Sequence, residues 1–563
     1  MSWTGRLAHL PGIATALNYR REWLRSDLTA GLVLTALLIP AGMGYAEAAG
    51  LPAYAGLYAT IVPLLAYALV GPSRILVLGP DSSLAPLIAA AVLPLAAGGE
   101  PDRALTLAGV LAVLVGIILI VGGFLRLGFV MELLSKPIRL GYLNAIALIV
   151  VVGELPKLLG FSVDESGLLR ETGAIVRSIV AGDVDPVATA VGVGALVVIV
   201  GGRIMHWHIP GVLVAVVGAT ALSAALSLDD RIGMVGALPH GLPAPSFSGV
   251  GWHDVATLVG PAAGIALIAF ADTGVLSRTF AARRGDDVDG STEMKAVGFA
   301  NLAGGLFGGF PVSASGSRTP AAEQSGARTQ LTGVVGAVAV LLFVLLAPGL
   351  TAYLPDAALA AVVIVAASAL IDIPGMVGMW RMSRSEAVLA IATFAGVALV
   401  GVLQGIVVAI TLSLIAVVAR VWQPYRTELV EIPGGIGYHD TRRHPEGHRI
   451  PGLVLVRFDA PLFFANGGIF DDYVRSVVAK APSRVDWVVI AAEPITGLDT
   501  TAVDELVELD QYLDSKGIRL AFAEMKGPIK DRLVRFGVGD RFGPDRFYPT
   551  LSAAVDSFHG RGP

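Results

Sequence analysis

Along its first three quarters the chain alternates between long apolar blocks and short polar gaps, and the blocks have the roughly 20-residue length a helix needs to cross hydrocarbon. "ALTLAGVLAVLVGIILIVGG" (104–123) is one such block. "AVLAIATFAGVALVGVLQGIVVAITLSLIAVVA" (387–419) is long enough for two helices with a turn, placed at Gly405. This pattern predicts about 14 spanning or part-spanning segments. They begin near Ala30, Ala53, Ser82, Ala104, Gly128, Pro186, Pro210, Val255, Ser291, Ser315, Thr329, Ala352, Glu386 and Gln404. Two are too short and polar to span. "SRILVLGPDSSLAPLIAA" (73–90) is a strand-like run ending at Gly79-Pro80, with Asp81, Ser82 and Ser83 as expected helix N-caps. "GGFPVSASGSRTPAAEQSG" (308–326) repeats that order. They stand third and tenth, the third place of each half, and interrupted helices at matching places point to an inverted-repeat transporter with its site at the membrane midplane.

Composition agrees with a membrane protein: 54% of residues are hydrophobic and 15% charged, and mean hydropathy is +0.72. The arginines orient it. With the amino terminus inside, Arg74, Arg126, Arg203, Arg278, Arg283, Arg284, Arg328, Arg381 and Arg384 all fall in cytoplasmic loops. Both termini are therefore expected in the cytoplasm. The polar segment 1–26 carries no short cleavable signal pattern. The chain has no cysteine, and His206 and His208 stand at i, i+2, which is not one helical face, so no metal site or cofactor is expected.

Beyond Arg420 the pattern changes. "GLVLVRF" and "DWVVIAA" read as buried strands, "TTAVDELVELDQYLDSKG" as an amphipathic helix closed by Gly517, and "IRLAFAE" as a further strand. That alternation predicts a small α/β domain. It has neither a Walker-type loop nor a Ser-His-Asp set, so no enzymatic activity and no nucleic-acid partner are expected.

The chemistry concentrates at the two interrupted segments. A helix that begins at mid-membrane aims free N–H groups and partial positive charge at whatever precedes it, and two facing ends make an anion site. Asp81, Ser82 and Ser83 would line one end, and Ser315, Gly316 and Ser317 the other. Arg318 adds a full charge that forks onto an oxyanion. The alternative is an arginine that snorkels to an interface or pairs with an acid to hold two helices together. Asp272 lies in an otherwise apolar run, "GIALIAFADTGVLSRTF", and must pair with Arg318, bind a cation or take up a proton, unless it merely caps a helix end. Glu47 reads as interfacial, and Tyr54, Tyr58 and Tyr67 as residues lining helix interfaces. Asp499, Thr500 and Thr501 occupy a strand-to-helix turn and read as an ordinary N-cap.

Residues 27–85, "DLTAGLVLTALLIPAGMGYAEAAGLPAYAGLYATIVPLLAYALVGPSRILVLGPDSSLA", resemble the signature region of the SulP sulfate-permease family, whose animal relatives include prestin and pendrin. "GFPVSASGSRTPAAEQSGARTQLTG" resembles its tenth-segment motif, and the tail a STAS domain. The resemblance implies a polytopic α-helical membrane protein of 14 segments in a seven-plus-seven inverted repeat. It divides into a cytoplasmic segment (1–26), a transport domain (27–421) and a cytoplasmic STAS domain (427–563). Segments 1–4 and 8–11 would form a core and 5–7 and 12–14 a gate. It implies a homodimer in a bacterial inner membrane, an elevator-type motion, and an anion bound between Asp81-Ser82-Ser83 and Ser315-Gly316-Ser317 beside Arg318. Asp272 matches the acid tied to sodium or proton coupling, and Thr500 or Thr501 the phosphorylatable position of STAS switches.

Three positions depart from the family pattern. Pro40-Ala41 replaces a Pro-Gln whose glutamine lies near the anion, so Ala41 would adjoin the site without a donor. Asp81 brings a second carboxylate, and Ala502 replaces the last glycine of the STAS motif. With Asp81 and Asp272 both near Arg318, a dianion would be repelled until one carboxyl is protonated, which favours H+ over Na+ as the coupling ion. The expected function is proton-coupled sulfate uptake. Bicarbonate or dicarboxylates such as fumarate are rival substrates, and an exchanger or channel, or STAS-mediated signalling to a cytoplasmic partner, are rival modes.

Overall fold

A computed structural model describes residues 10–96, 101–128, 135–163, 165, 167–205, 207, 210–239, 241, 249–432 and 437–560. His206 and His208 lie outside them. The chain divides into two compact units, Met1–Ser413 and Leu414–Pro563.

Among the described residues fourteen spanning or half-spanning helices follow the predicted order. The first seven are α1 (Leu24–Ala48), α2 (Ala53–Val70), α3 (Ala85–Val92), α4 (Pro101–Phe124), α5 (Lys136–Leu159), α6 (Pro186–Ile204) and α7 (Gly211–Leu226). The second seven are α8 (Trp252–Arg284), α9 (Gly290–Leu306), α10 (Arg318–Gln324), α11 (Leu331–Leu346), α12 (Asp356–Ser368), α13 (Arg384–Ala395) and α14 (Val402–Trp422). A two-residue strand precedes the third helix of each set: β1 (Leu78–Gly79) before α3 and β2 (Ser313–Ala314) before α10. Among the described residues seven helices are long and apolar enough to cross a membrane, and three shorter ones are apolar.

Packing sorts these helices into two groups. In one, α4 lies along α9 and α8, α1 along α2 and α11, and α2 also along α9 and α11. In the other, α5 packs on α12 and α13, and α6 on α7 and α12. The seam between them runs where α1 meets α12 and α7. Glycines set the closest approach in the first group: a Cβ on Gly305 would stand 2.6 Å from the Gly109 carbonyl oxygen, and one on Gly116 2.7 Å from that of Gly298. Small residues at helix interfaces allow such backbone contact, and van der Waals packing then holds α4 and α9 together.

Some local expectations are corrected. The reversal between α13 and α14 falls at Gly401, where φ is +133°. Gly405 lies inside α14, where a Cβ would stand 2.4 Å from Val397 Cα, so it is a packing position and not a turn. Among the described residues of the first unit three further helices, Pro11–Leu17, Leu168–Ala181 and Ile373–Met382, occupy stretches without a predicted segment. The strand expected over 73–80 shrinks to Leu78–Gly79, and Leu84, not Asp81, Ser82 or Ser83, is the N-cap of α3. Glu47 is not merely interfacial: its carboxylate pairs with Lys157 at 3.3 Å. Tyr67 does more than line an interface, because its hydroxyl donates to buried Glu293 at 2.6 Å, as does that of Ser277.

The second unit carries a six-stranded sheet. Its strands are β3 (Arg426–Glu431), β4 (Tyr438–Asp440), β5 (Leu453–Phe458), β6 (Trp487–Ala491), β7 (Arg519–Ala523) and β8 (Phe547–Tyr548), in the order β4-β3-β5-β6-β7-β8. Strands β5 to β8 pair in parallel, with helices Gly467–Ala479, Thr500–Ser515 and Gly527–Arg535 as crossovers. Gly517, at φ +71°, ends the second of these helices, as its sequence predicted.

Candidate functional site

The centre of the first unit is where β1 and β2 cross, antiparallel, Leu78 opposite Ala314 and Gly79 opposite Ser313. Irregular backbone at membrane depth survives where its N–H and C=O groups find partners within the protein. Here side chains complete the set. Val312 N–H donates to Asn301 Oδ1 (2.8 Å), Asn301 Nδ2 donates back to the Val312 carbonyl (3.0 Å), and Ala314 N–H donates to Thr273 Oγ1 (3.1 Å). Ser315 N–H donates to the Val77 carbonyl (2.9 Å), and Val77 N–H to Thr319 Oγ1 (3.1 Å). Asn301, Thr273 and Thr319 thus fix both strands.

Arg318 opens α10 and is 2% exposed. Its Nη2 donates to the Pro80 carbonyl across the crossing, and its Cζ stands 6.0 Å from the centre of the Tyr45 ring. Nε and Nη1 have no hydrogen-bond partner, and among the described residues no carboxylate forms an ion pair with the guanidinium. The guanidinium therefore neither snorkels to an interface nor ties two helices through an acid. Ser313 Oγ, also buried, is likewise unpartnered. Gly79 makes room for this arrangement: φ is +153°, and a Cβ there would stand 3.0 Å from Nη1. Ser315 Oγ accepts from Arg318 N–H at 3.2 Å and lies 3.4 Å from Ser317 Oγ. Gly316 and Ser317 are exposed, and a Cβ on Gly316 would meet no atom within 4 Å, so the site is open on this side.

On the opposite side Asp81 and Asp272 flank Ser83. Ser83 Oγ is 2.9 Å from Asp81 Oδ2 and 3.0 Å from Asp272 Oδ2, while Ser83 N–H donates to Asp81 Oδ2 at 3.2 Å. Asp272 stands in the middle of α8, more than three turns before its end at Arg284, so it caps nothing. It pairs with Ser83 and Tyr142, not with Arg318. The Tyr142 hydroxyl lies 3.2 and 3.4 Å from its two oxygens. Ser82 is buried beside Ser83. Ala41 follows Pro40 within α1, one turn before Tyr45, and supplies no polar atom. Sequence reasoning missed Tyr142, Tyr45 and Asn301, since a single aromatic or amide inside an apolar helix has no distinguishing pattern.

In the second unit, Asp499 is the N-cap of helix Thr500–Ser515, accepting from Ala502 N–H at 2.8 Å and from Phe464 N–H at 2.8 Å. Thr500 and Thr501 are exposed in its first turn.

Two half-helices meeting at crossed strands, with an unpaired buried guanidinium beside them, define the class of inverted-repeat transport proteins. The chain belongs to the sulfate permease family, whose model matches residues 24–393, and it carries a STAS domain, matched over 444–554. It is 41% identical over 554 residues to a probable sulfate transporter of Mycobacterium tuberculosis, covering 98% of both chains. It is 29% identical to the chloroplastic sulfate transporter 4.1 of Arabidopsis thaliana, covering 95% of this chain and 80% of that one. Its fold matches the murine solute carrier 26 family member A9 anion transporter (TM-score 0.90, 22% identity, 100% and 95% covered). It also matches the transmembrane domain of a cyanobacterial bicarbonate transporter (TM-score 0.60, 24% identity, 71% and 98% covered).

Proposed function

We propose that the protein is a secondary-active anion transporter that carries sulfate together with protons. The observation that carries this reading is the pairing of an unpaired guanidinium with a carboxylate pair bridged by one hydroxyl. Ser83 has a single hydroxyl proton yet stands within hydrogen-bond distance of both Asp81 and Asp272. It donates to one; the other contact is attractive only when that carboxyl carries a proton and donates in return. The geometry therefore fits a pair that holds one proton between two acids, like charges so close being unable to ionise together without cost. With both acids ionised, the fixed charge around the anion is one positive against two negative, and a dianion is repelled. A proton taken up at the pair balances the charge and admits it.

The two packing groups act as core and gate, and the anion alternates sides as the first slides along the second with the crossed strands intact. The glycine-tight packing of α4 on α9 supports a core that moves as one body. The sulfate names of the relatives favour sulfate, with bicarbonate and dicarboxylates as the substrates to compete against it. The same reading makes the protein a homodimer in the bacterial plasma membrane, with the STAS domain in the cytoplasm available to a regulatory partner.

The test is uptake of labelled sulfate into proteoliposomes under an inward proton gradient, with unlabelled sulfate, bicarbonate and fumarate as competitors and Arg318→Ala in parallel. Saturable uptake that collapses in the variant is expected. Uptake that needs sodium and ignores the proton gradient would remove the proton from the reading. Uptake of a carboxylate or bicarbonate but not of sulfate would replace the substrate.

A further inference from the structure

We infer that the Tyr142 hydroxyl ties the protonation of Asp272 to the position of the core against the gate, making Tyr142 a positioning residue for coupling. This rests on the proton-coupled reading above. The two residues belong to different packing groups: Asp272 lies on α8, which packs with α4 and α9, whereas Tyr142 lies on α5, which packs with α12 and α13. Tyr142 is 1% exposed, its ring is packed in apolar surroundings, and its one polar atom is directed at the Asp272 carboxylate. Among the described residues an ion pair also joins α5 to the first group, Lys157 with Glu47, at the far end of the same helix.

A hydroxyl that donates to a carboxylate stabilises its ionised form, and such a bond to a charged group corresponds to a change of about tenfold or more in proton affinity. The arrangement seen here, with the bond made, therefore favours ionised Asp272 relative to one in which the bond is broken. Sliding the core along α5 separates the two groups and removes the bias. Reciprocity follows: protonating Asp272 must disfavour this arrangement by the same factor. The other groups facing Asp272 do not distinguish the two positions in this way. Asp81 and Ser83 belong to the core and travel with it. On α8 itself, Asp254 is engaged by Arg103 of α4, and Ser277 by Glu293 of α9, all within the core. Arg139, one turn before Tyr142 on α5, makes no ion pair with Asp272 among the described residues, and any charge effect it has acts through space with shallower dependence on distance than a hydrogen bond.

The chain has no cysteine, so spin labels can be placed singly without removing native thiols. Labels at Thr279→Cys on α8 and Ser385→Cys on α13, both exposed, report the core against the gate. The full-length protein in liposomes, measured between about pH 6 and about pH 8, should show a shift of about tenfold in the ratio of the two distance populations. Tyr142→Phe should reduce that shift to under about twofold. Replacing Tyr142 by fluorotyrosine, a stronger donor with the same ring, should move the midpoint to lower pH, which a purely packing role would not do. An unchanged shift in Tyr142→Phe, or a fluorotyrosine midpoint that stays put, overturns the inference while proton-driven uptake by the parent protein stands. Loss of proton-driven uptake in the parent protein itself would instead remove the reading on which it rests.

Discussion

Replacing Gly79 with alanine puts a methyl group where Arg318 presents an N–H. The added Cβ would stand 3.0 Å from Nη1, 3.5 Å from Nη2 and 3.6 Å from Cζ. The backbone cannot swing away, because Gly79 is paired with Ser313 across the strand crossing. Two costs follow. A side chain at φ +153° adds about 1–3 kcal/mol of strain, which a fold stable by about 5–15 kcal/mol tolerates. The second falls on binding: Nη1 is one of the two guanidinium nitrogens without a protein partner. Blocking it forfeits one charge-assisted hydrogen bond to the anion, about 1.5–3 kcal/mol, or about 10- to 150-fold in affinity. Gly79→Ala should therefore reach the membrane and elute as a folded protein, with its melting temperature modestly lowered and its KM for sulfate raised by that factor. Uptake kinetics in proteoliposomes and a thermal melt in detergent measure the two separately. A variant with wild-type KM would refute the argument that this nitrogen meets the substrate.

Asp27 is fully buried and accepts from Tyr19 Oη, Arg328 N–H, Thr329 N–H and the hydroxyls of Thr329 and Thr332, fastening the start of α1 to the start of α11. Asp27→Asn turns a donor toward donors and should cost about 1.5–3 kcal/mol in a thermal melt, with KM unchanged in the folded fraction. Asp289 caps α9 outside the membrane, and its hydrogen bond from the Thr292 hydroxyl holds its carboxyl below the usual range. The stability it adds is thus full above the ordinary carboxylate value of about 4 and fades as pH falls through the depressed one, so the melting difference between wild type and Asp289→Asn should close only in acid. Asp499→Ala removes the cap of helix Thr500–Ser515 and should lower stability of the second unit by about 1–2 kcal/mol, read by hydrogen exchange of that helix in the full chain, where unchanged protection would contradict the capping role.

What the sequence made legible is what hydrocarbon imposes. Block length places the segment starts, since a span short of length is heavily penalised. The break at Gly79-Pro80 and its counterpart at Ser313 to Ser317 could be read for the same reason. Contacts between distant segments were not legible. Asp27 meets residues some 300 positions away, and nothing in "SDLTAGL" announces it. Ser83 was read as a helix cap because serines before helices usually are; its place between two acids depends on how α8 lies against the turn. Gly405 reads as a turn because glycine serves both turns and tight packing, and only the position of Val397 decides between them.

The strand crossing also bears on how the protein is made. Leu78 and Gly79 find their backbone partners in Ala314 and Ser313, which leave the ribosome more than 230 residues later. At about 5–20 residues per second that interval is on the order of 10–50 s. Throughout it the nascent first half holds an open strand edge and an incomplete half-helix turn, neither of which can be left bare in lipid. The first half must therefore wait at the insertion machinery, or in a wetter position near the membrane surface, until its counterpart arrives.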